Sequence, residues 1–356
     1  MNPYQNRGPI FQPDGFVGRE RELAQIRDSI EQGGCVSLIG ERRVGKSSIL
    51  NMIKLDHEVR RFEWQMGPAE QQREYVCLFV DCQYLVGATE SEAIQFLLER
   101  FEDSFGTPRV EPTLEALRVV TRQSVGVSGT RLVLLLDEID VLAANANLRP
   151  SFFSFLRGWS QDFRIVFLSA SKENNVERLT WNDNAGSPFW NIFRTLYIGP
   201  FTQEDAEWLV REPSALQGCE FSPDDERLIF DLGGRQPLFL QIACDHTFQA
   251  RAADLPPPGL TREVKSRFRV EAVPHLDYLW KSLPKREREA LTQFILQKRS
   301  PSDRDASELL RKGVLVEEPT GMRVFSSVFA ERIEDLSEAA PQPAGILSRA
   351  WNKYLE

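Results

Sequence analysis

Residues 40–47 read Gly-Glu-Arg-Arg-Val-Gly-Lys-Ser, and this short stretch constrains the fold more than any other part of the chain. It fits the pattern GxxxxGK[ST], in which glycines let the main chain turn back so that successive N–H groups surround phosphate oxygens. The apolar residues 35–39 precede it and a helical pattern follows it. This context favours a strand–loop–helix junction over a glycine turn that happens to precede a lysine. The sequence therefore predicts a nucleotide-phosphate site on a parallel α/β sheet.

Each residue type in this loop has an expected task. Lys46 would reach the β- and γ-phosphates, and the hydroxyl of Ser47 would bind Mg²⁺. The expected nucleotide-binding residues here are Gly40, Glu41, Arg42, Arg43, Val44, Gly45, Lys46, Ser47 and Ser48. The ligands predicted from this set are ATP or ADP together with Mg²⁺.

An acidic motif follows the apolar run at residues 132–136 and reads Asp-Glu-Ile-Asp from Asp137 to Asp140. At the carboxyl end of a strand, Asp137 would hold Mg²⁺ through its water shell, and Glu138 would polarise the attacking water as general base. A charged turn after a core strand is the alternative. The position of the pair on the third buried strand, about ninety residues after the loop, favours the catalytic interpretation. Asp140 has two open interpretations, a structural role or support of Glu138.

The remaining pattern divides the chain into an α/β part and a helical part. Short apolar runs at residues 35–39, 75–80, 131–136, 164–168 and 195–198 alternate with helical patterns, which indicates a parallel sheet with helices on both faces. From Phe201 onward helices dominate, and helices followed by a hairpin at residues 314–325 outline a winged helix-turn-helix. We expect an N-terminal lead-in at 1–15, a P-loop ATPase domain at 16–200, a helical lid domain at 201–260, a winged-helix domain at 261–337 and a flexible tail at 338–356.

Composition limits the location and the partners of the protein. The formal net charge of −9 disfavours a nucleic-acid protein, because such proteins gather basic residues against phosphates. No apolar run is long enough for a membrane span, and the N-terminus lacks the apolar core of a secretory signal. Five cysteines without metal-ligand spacing and three isolated histidines argue against a zinc site and predict buried thiols in a reducing compartment. We expect a cytoplasmic protein that does not associate with membranes.

Several motifs together resemble one protein family. Residues 16–23 read Phe-Val-Gly-Arg-Glu-Arg-Glu-Leu, and residues 233–240 read Gly-Gly-Arg-Gln-Pro-Leu-Phe-Leu. With the P-loop and the Asp-Glu-Ile-Asp motif, they resemble the STAND ATPases (signal-transduction ATPases) and the related archaeal-type and initiator-type AAA+ proteins. The acidic motif is similar to that of the initiator-like branch. The resemblance covers residues 16–335 and implies a AAA+-type sheet domain followed by a helical lid and a winged helix.

The resemblance implies residues around the base of the nucleotide. Val17, Gly18 and Arg19 would lie beside the adenine and the ribose. Pro237 would press on the base from the helical lid. Each position also has a structural interpretation, since Gly18 and Arg19 would equally cap the first helix and Pro237 would equally begin a helix.

The resemblance also implies residues around the γ-phosphate. Ser171, or Ser169 on the same side of the strand, would sense this phosphate, although serines also simply end strands. Arg194 lies where AAA+ relatives often carry an arginine finger that acts on a neighbouring subunit, and a strand-end surface arginine is the alternative. Arg235 in the lid motif is a second candidate for contacting the γ-phosphate.

What the resemblance implies for function is a nucleotide switch that is closed with ADP, opens and oligomerises with ATP, and is reset by slow hydrolysis. STAND proteins usually join an effector and a sensor repeat to the ATPase, and neither is recognised in this sequence. We therefore expect a homo-oligomer with a separately encoded sensor or effector, working as the ATPase component of a signalling or antiviral defence system. The alternative is a DNA-associated AAA+ ATPase of initiator or transposition-regulator type. Acidic residues balance basic ones in the winged-helix region, which favours a structural role there.

Overall fold

The computed structural model describes residues 1–59, 75–125, 131–172 and 189–338. The predicted tail, 338–356, lies outside the described residues except for Glu338. The chain divides into two compact units. We call Gly8–Gly199 the sheet unit, and Met1–Arg7 with the chain from Pro200 onward the helical unit. Among the described residues, no helix has the length and apolar character needed to cross a membrane.

A five-stranded parallel sheet runs through the described part of the sheet unit. Its strands are β1 (Cys35–Ile39), β2 (Tyr75–Asp81), β3 (Arg131–Asp137), β4 (Val166–Ser171) and β5 (Phe193–Tyr197). Their order is β2-β3-β4-β1-β5, and every neighbouring pair is parallel. The order places β4 between β1, which leads into the P-loop, and β3, which leads into the acidic motif. The predicted parallel α/β sheet is confirmed.

Helices cover both faces of this sheet. They are α1 (Glu20–Gln32), α2 (Lys46–Val59), α3 (Glu90–Phe105), α4 (Leu114–Val125), α5 (Ile139–Ala143) and α6 (Pro150–Phe163). Apolar residues of α1 and α2 form one core with Leu38, Leu135 and Leu168. Those of α3, α4 and α6 form a second core with Leu134 and Phe167. Because both faces of the strands are buried, the strands read as continuous apolar runs rather than alternating patterns.

The predicted bounds of the last two strands were wrong. The fourth was placed at 164–168, but Arg164 adopts a φ of 54° as the C-cap of α6, so the strand begins only at Val166. The strand also continues through the buried residues Ser169 and Ser171. Because their side chains are polar, a search for apolar runs ends the strand before them. The fifth was placed at 195–198 and runs instead from Phe193 to Tyr197.

The helical unit contains helices and one hairpin. The helices are α7 (Gln203–Ala215), α8 (Pro223–Gly233), α9 (Pro237–Ala252), α10 (Pro257–Ser282), α11 (Lys285–Gln297), α12 (Asp303–Arg311) and α13 (Ser327–Glu338), and the hairpin pairs β6 (Leu315–Glu318) with β7 (Gly321–Val324). Thr202 and Ser222 cap α7 and α8 as their sequences predict. The helix α10 begins at Pro257, because proline suits a first helical turn that leaves its N–H groups unpaired.

The Gly-Gly pair between α8 and α9 leaves no room for side chains. A Cβ on Gly233 would fall 2.7 Å from a main-chain nitrogen of α9, and one on Gly234 would fall 2.9 Å from the carbonyl oxygen of Phe325. The buried Gln236 donates a hydrogen bond of 2.9 Å to the carbonyl oxygen of Lys312. The motif at 233–240 therefore ties the α8–α9 turn to the segment that carries the hairpin.

The first seven residues pack into the helical unit. Tyr4 is only 1% exposed, and its hydroxyl donates to the carbonyl oxygen of Val210 at 2.7 Å and accepts the N–H of Ser214 at 3.1 Å. Arg7 forms an ion pair with Asp245 of α9. A buried tyrosine needs such partners for its hydroxyl, so these contacts anchor this part of the predicted lead-in.

Candidate nucleotide site

The P-loop curls around the side chain of its own lysine. Lys46 Nζ donates to the carbonyl oxygens of Gly40 at 2.7 Å and Glu41 at 2.8 Å. Two left-handed residues, Arg43 with a φ of 68° and Gly45 with a φ of 101°, provide the curvature. The ammonium group therefore rests on main-chain acceptors that phosphate oxygens would replace.

The first glycine of the loop is required by the backbone of the neighbouring segment. A Cβ on Gly40 would lie 3.2 Å from Val44 Cγ2 and closer than 3.0 Å to the carbonyl oxygen of Ile198. That neighbour is itself held in place, because the N–H of Ile198 donates to the carbonyl oxygen of Ile39 at 2.7 Å. Only glycine permits this close approach.

Burial disfavours the charged forms of both Lys46 and Asp137. It lowers the pKa of Lys46 from 10.5 to about 8, although the nearby carboxylates of Glu41 and Asp137 oppose this shift. Burial likewise raises the pKa of Asp137, against the hydrogen bond that its carboxylate accepts from the Ser47 hydroxyl. A ligand that brings phosphate charge to Lys46 and a divalent cation to Asp137 would stabilise the charged forms of both groups.

The oxygen donors fit a magnesium nucleotide. Ser47 directly follows Lys46 in the loop, and its hydroxyl opposes the rise of the Asp137 pKa by hydrogen bonding, which indicates that a hydroxyl and a carboxylate oxygen lie near each other. Mg²⁺ is usually held by one or two protein oxygens together with phosphate oxygens and water. These residues would therefore hold the metal that sequence analysis assigned to them.

A glutamine that sequence analysis missed contacts the expected general base. Glu138 adopts a left-handed conformation with a φ of 50° at the start of α5, and its Oε2 accepts a hydrogen bond of 2.7 Å from Gln83 Nε2. Gln83 lies just after β2, and its N–H donates to Asp81 Oδ1 at 2.9 Å. Asp81 pairs in register with Asp137, so the two acidic strand ends are adjacent. Gln83 could have been identified only from the adjacency of β2 and β3, and that adjacency is known only once the strand order is known.

The end of β4 lies between these groups. Ser169 pairs in register with Leu136 and Ser171 with Ile39, and both serines are 1% exposed. The sheet thus brings the two predicted sensor serines between the P-loop strand and the acidic strand. Their contact with a γ-phosphate stays a prediction.

Arg19 contacts the P-loop through main-chain atoms. It is 5% exposed, with a φ of 71°, and its guanidinium donates to the carbonyl oxygens of Val44 at 3.1 Å and Gly199 at 2.7 Å. Its predicted place beside the adenine and ribose, shared with Val17 and Gly18, stays a prediction.

Ser48 contacts the N-terminal part of the sheet unit. Its Oγ accepts the N–H of Ile10 at 3.0 Å, and Asn51 Nδ2 donates to the carbonyl oxygen of Ile10 at 3.1 Å. Ser48 was predicted to bind nucleotide, and the structure gives its hydroxyl a main-chain partner. Sequence analysis missed this contact, since nothing in residues 8–12 points to α2.

The remaining predicted residues lie elsewhere in the two units. Arg194 is exposed on β5, the strand at one edge of the sheet. Pro237 begins α9 in the helical unit, and the carbonyl oxygen of Arg235 accepts the N–H of Phe201 at 2.9 Å. The roles of all three toward a nucleotide stay predictions.

Comparison with known structures agrees with this arrangement. The Walker-type ATPase PABY2304 of Pyrococcus abyssi has a TM-score of 0.62 and 13% identity, covering 93% of this chain and 99% of that one. The ORC2 protein of Aeropyrum pernix, in its ADPNP–ADP complexes, has a TM-score of 0.57 and 12% identity, covering 93% and 98%. At these identities the likeness shows the fold alone, which is that of P-loop AAA+ ATPases.

Sequence comparison gives the family. No curated protein sequence matches the chain. Residues 31–302 match the family described as novel STAND NTPase 2. Because this match spans more than half of the 356 residues, the chain belongs to the novel STAND NTPase 2 family.

Proposed function

We propose that the protein is a STAND-type molecular switch that binds ATP, hydrolyses it slowly to ADP and phosphate, and oligomerises in its ATP state. One observation carries this proposal. At the carboxyl ends of the parallel strands, the structure brings together Lys46, Ser47, Asp137 and Glu138. These residue types are the ones that phosphoryl transfer to water requires: a cation, metal ligands and a base.

The chain's own residues would divide the chemistry as follows. Lys46 would leave its loop carbonyls and neutralise charge on the β- and γ-phosphates. Glu138 would orient the attacking water and take its proton. Ser47 and Asp137 would hold Mg²⁺, which when bound neutralises charge on the phosphate oxygens.

The contact between Gln83 and Glu138 supports slow turnover. One carboxylate oxygen of the expected base is already bonded at 2.7 Å to a neutral amide donor. The bond holds the carboxylate in one orientation, and turning it toward an attacking water would cost a charge-assisted hydrogen bond. A base that is restrained in this way suits a switch that keeps ATP bound for long periods.

The charges of the predicted winged-helix region support a structural role for it. Lys312, the residue that follows α12 in this region, is buried in an ion pair with Glu287, with 7% and 9% of their side chains exposed. Arg311 pairs with Glu308 on the same helix. These basic groups are neutralised within the protein, whereas a DNA reader presents them to phosphates. We therefore favour a switch over a DNA-associated ATPase of initiator type.

The proposed partners follow from the switch. ATP-driven assembly would give a homo-oligomer, and a separately encoded sensor or effector would link it to a cytoplasmic signalling or antiviral defence pathway. Within this assembly Arg194, exposed on β5, would be the residue that reaches a neighbouring subunit's nucleotide.

Light scattering after size exclusion, combined with an ATPase assay, tests the proposal. Wild type, Glu138→Gln and Lys46→Ala are each measured with ADP or ATP, with and without duplex DNA. We expect ATP-dependent assembly that is indifferent to DNA and is strongest in Glu138→Gln, which retains ATP. Assembly or ATPase stimulation that occurs only on DNA would contradict a switch that works without DNA. Retained nucleotide affinity in Lys46→Ala would contradict the assignment of the nucleotide site.

A further inference from the structure

Asp140 links the helix that begins after Glu138 to the end of the central strand β4. It lies in the first turn of α5, and its Oδ2 accepts the N–H of Lys172 at 2.8 Å. Lys172 directly follows Ser171, the last residue of β4. A side chain carried by the helix of the general base therefore holds the main chain beside the predicted sensor serines.

The second carboxylate oxygen of Asp140 has no such partner. Oδ1 is buried without a hydrogen bond to any described residue, and the same holds for Ser169 Oγ on β4. Leaving this oxygen buried and unsatisfied costs free energy that the single bond to Lys172 only partly offsets. The contact that Asp140 makes through Oδ2 is therefore the one from which its role is inferred.

The need for such a bond follows from the shape of α5. The helix has only five residues, and Glu138 enters it in a left-handed conformation. Ile139 and Leu142 anchor one side of the helix in the core. Asp140 supplies a polar anchor to β4. With both, the main chain at Glu138 is fixed relative to the strand that ends beside the P-loop.

We propose that Asp140 is a positioning residue for hydrolysis, which fixes the end of β4 relative to Glu138. The candidate sensor serines and the general base would then act on the same γ-phosphate. The proposal rests on the ATP hydrolysis proposed above. Asp140 itself touches no reacting atom. A displacement of the general base by about 1 Å is expected to reduce turnover on the order of 10²-fold without a matching loss of ground-state binding.

Two substitutions separate the hydrogen bond from the charge. Asp140→Ala removes the acceptor for the N–H of Lys172, whereas Asp140→Asn keeps a carbonyl oxygen and loses the charge. Thr89→Ala is the matched control, because Thr89 also accepts a main-chain N–H, that of Glu92, in the same unit but in the capping box of α3. For each variant we would measure kcat, KM, the Kd for ADP, the melting temperature and hydrogen exchange of the peptide spanning 166–172.

We expect Asp140→Ala to lower kcat at least tenfold, to change KM and the Kd for ADP by less than about threefold, and to speed amide exchange at Lys172. Asp140→Asn should retain more than half of the wild-type kcat and of the protection. Equal losses of kcat in both variants would show that the charge of Asp140 acts instead of the hydrogen bond. A joint loss of kcat, affinity and melting temperature beyond that of the control would show that Asp140 only stabilises the fold. Either outcome overturns the proposal.

The same experiment keeps the two proposals distinguishable. If wild type shows no ATPase activity, the proposed function fails, and the positioning role fails with it. If wild type hydrolyses ATP and Asp140→Ala matches it in kcat and in amide exchange, the role of Asp140 alone is overturned.

Discussion

Replacing Gly40 with alanine tests whether the P-loop depends on the close approach of a neighbouring main chain. The added Cβ would lie closer than 3.0 Å to the carbonyl oxygen of Ile198 and 3.2 Å from Val44 Cγ2. Neither neighbour yields easily: Val44 is 2% exposed, and the N–H of Ile198 is bonded to Ile39. The loop must therefore move as a whole.

The magnitude follows from the kind of atoms that are met. Overpacking costs about 1–3 kcal/mol, and a clash with paired main chain rather than a flexible side chain belongs at the upper end, about 3 kcal/mol. For a unit of this size, about 2–4 °C per kcal/mol gives a melting temperature lowered by about 6–12 °C. Nucleotide affinity should fall at least tenfold, because a displaced loop misplaces the N–H groups that would surround the phosphates.

Differential scanning fluorimetry with and without ADP, together with titration of a fluorescent ADP, measures both effects. Gly158→Ala is the matched control, because Gly158 lies inside α6 and an added Cβ meets nothing within 4 Å. Alanine there should stabilise the protein by about 0.5–1 kcal/mol and leave affinity unchanged. Gly45→Ala separates strain from collision, since its φ of 101° is strained for alanine while the space around it is open.

A Gly40→Ala protein that binds ADP and melts like wild type would refute the reasoning. It would mean that the segment at Ile198 moves freely and does not shape the loop. A loss of affinity in Gly45→Ala without one in Gly40→Ala would assign the sensitivity of the loop to backbone conformation instead of the contact.

Three further outcomes are expected. Gln83→Ala should raise the single-turnover rate constant for hydrolysis about tenfold, because it frees the Glu138 carboxylate from a hydrogen bond, and a lower rate constant would contradict the restraint. Because Lys46 has a pKa of about 8 when folded and 10.5 when unfolded, its contribution to the free energy of unfolding rises between these pH values, as the unfolded chain binds more protons there. ADP affinity should fall tenfold per pH unit above pH 8 in calorimetric titrations, whereas Lys46→Arg should show no such slope. Tyr4→Phe should lower the stability of the helical unit by about 1–3 kcal/mol in urea unfolding, because the carbonyl of Val210 loses its buried donor, and an unchanged midpoint would contradict this.

Local sequence determines the features that were predicted well. The run at 35–39 coincides with the strand β1, Cys35–Ile39. It is a short apolar run bounded by glycines, a local pattern that has no strong competitor. The P-loop is also local, so Lys46 and Ser47 could be placed from their spacing alone.

Contacts that depend on strand order could not be predicted in the same way. Gln83 meets Glu138 only because β2 and β3 are neighbours with Asp81 and Asp137 in register. The sequence indicates five strands, but an apolar run buried on both faces has no alternation from which to derive register. The hydrogen bond from Tyr4 to Val210 spans 206 positions and is equally inaccessible from the local pattern.

The kinds of bonds in the site indicate which part of it changes during turnover. Lys46 and Asp140 are each bonded to main-chain atoms, and Asp81 accepts the main-chain N–H of Gln83. Main-chain partners are fixed by the sheet and the loop, so Asp140 and Asp81 are positioned before nucleotide arrives, whereas Lys46 would exchange its loop carbonyls for phosphate oxygens. The bond between Gln83 and Glu138 joins two side chains at the exposed edge, and it can break by rotamer changes alone. Nucleotide would then bind to groups that are largely in place, while turning Glu138 toward the attacking water costs its bond to Gln83.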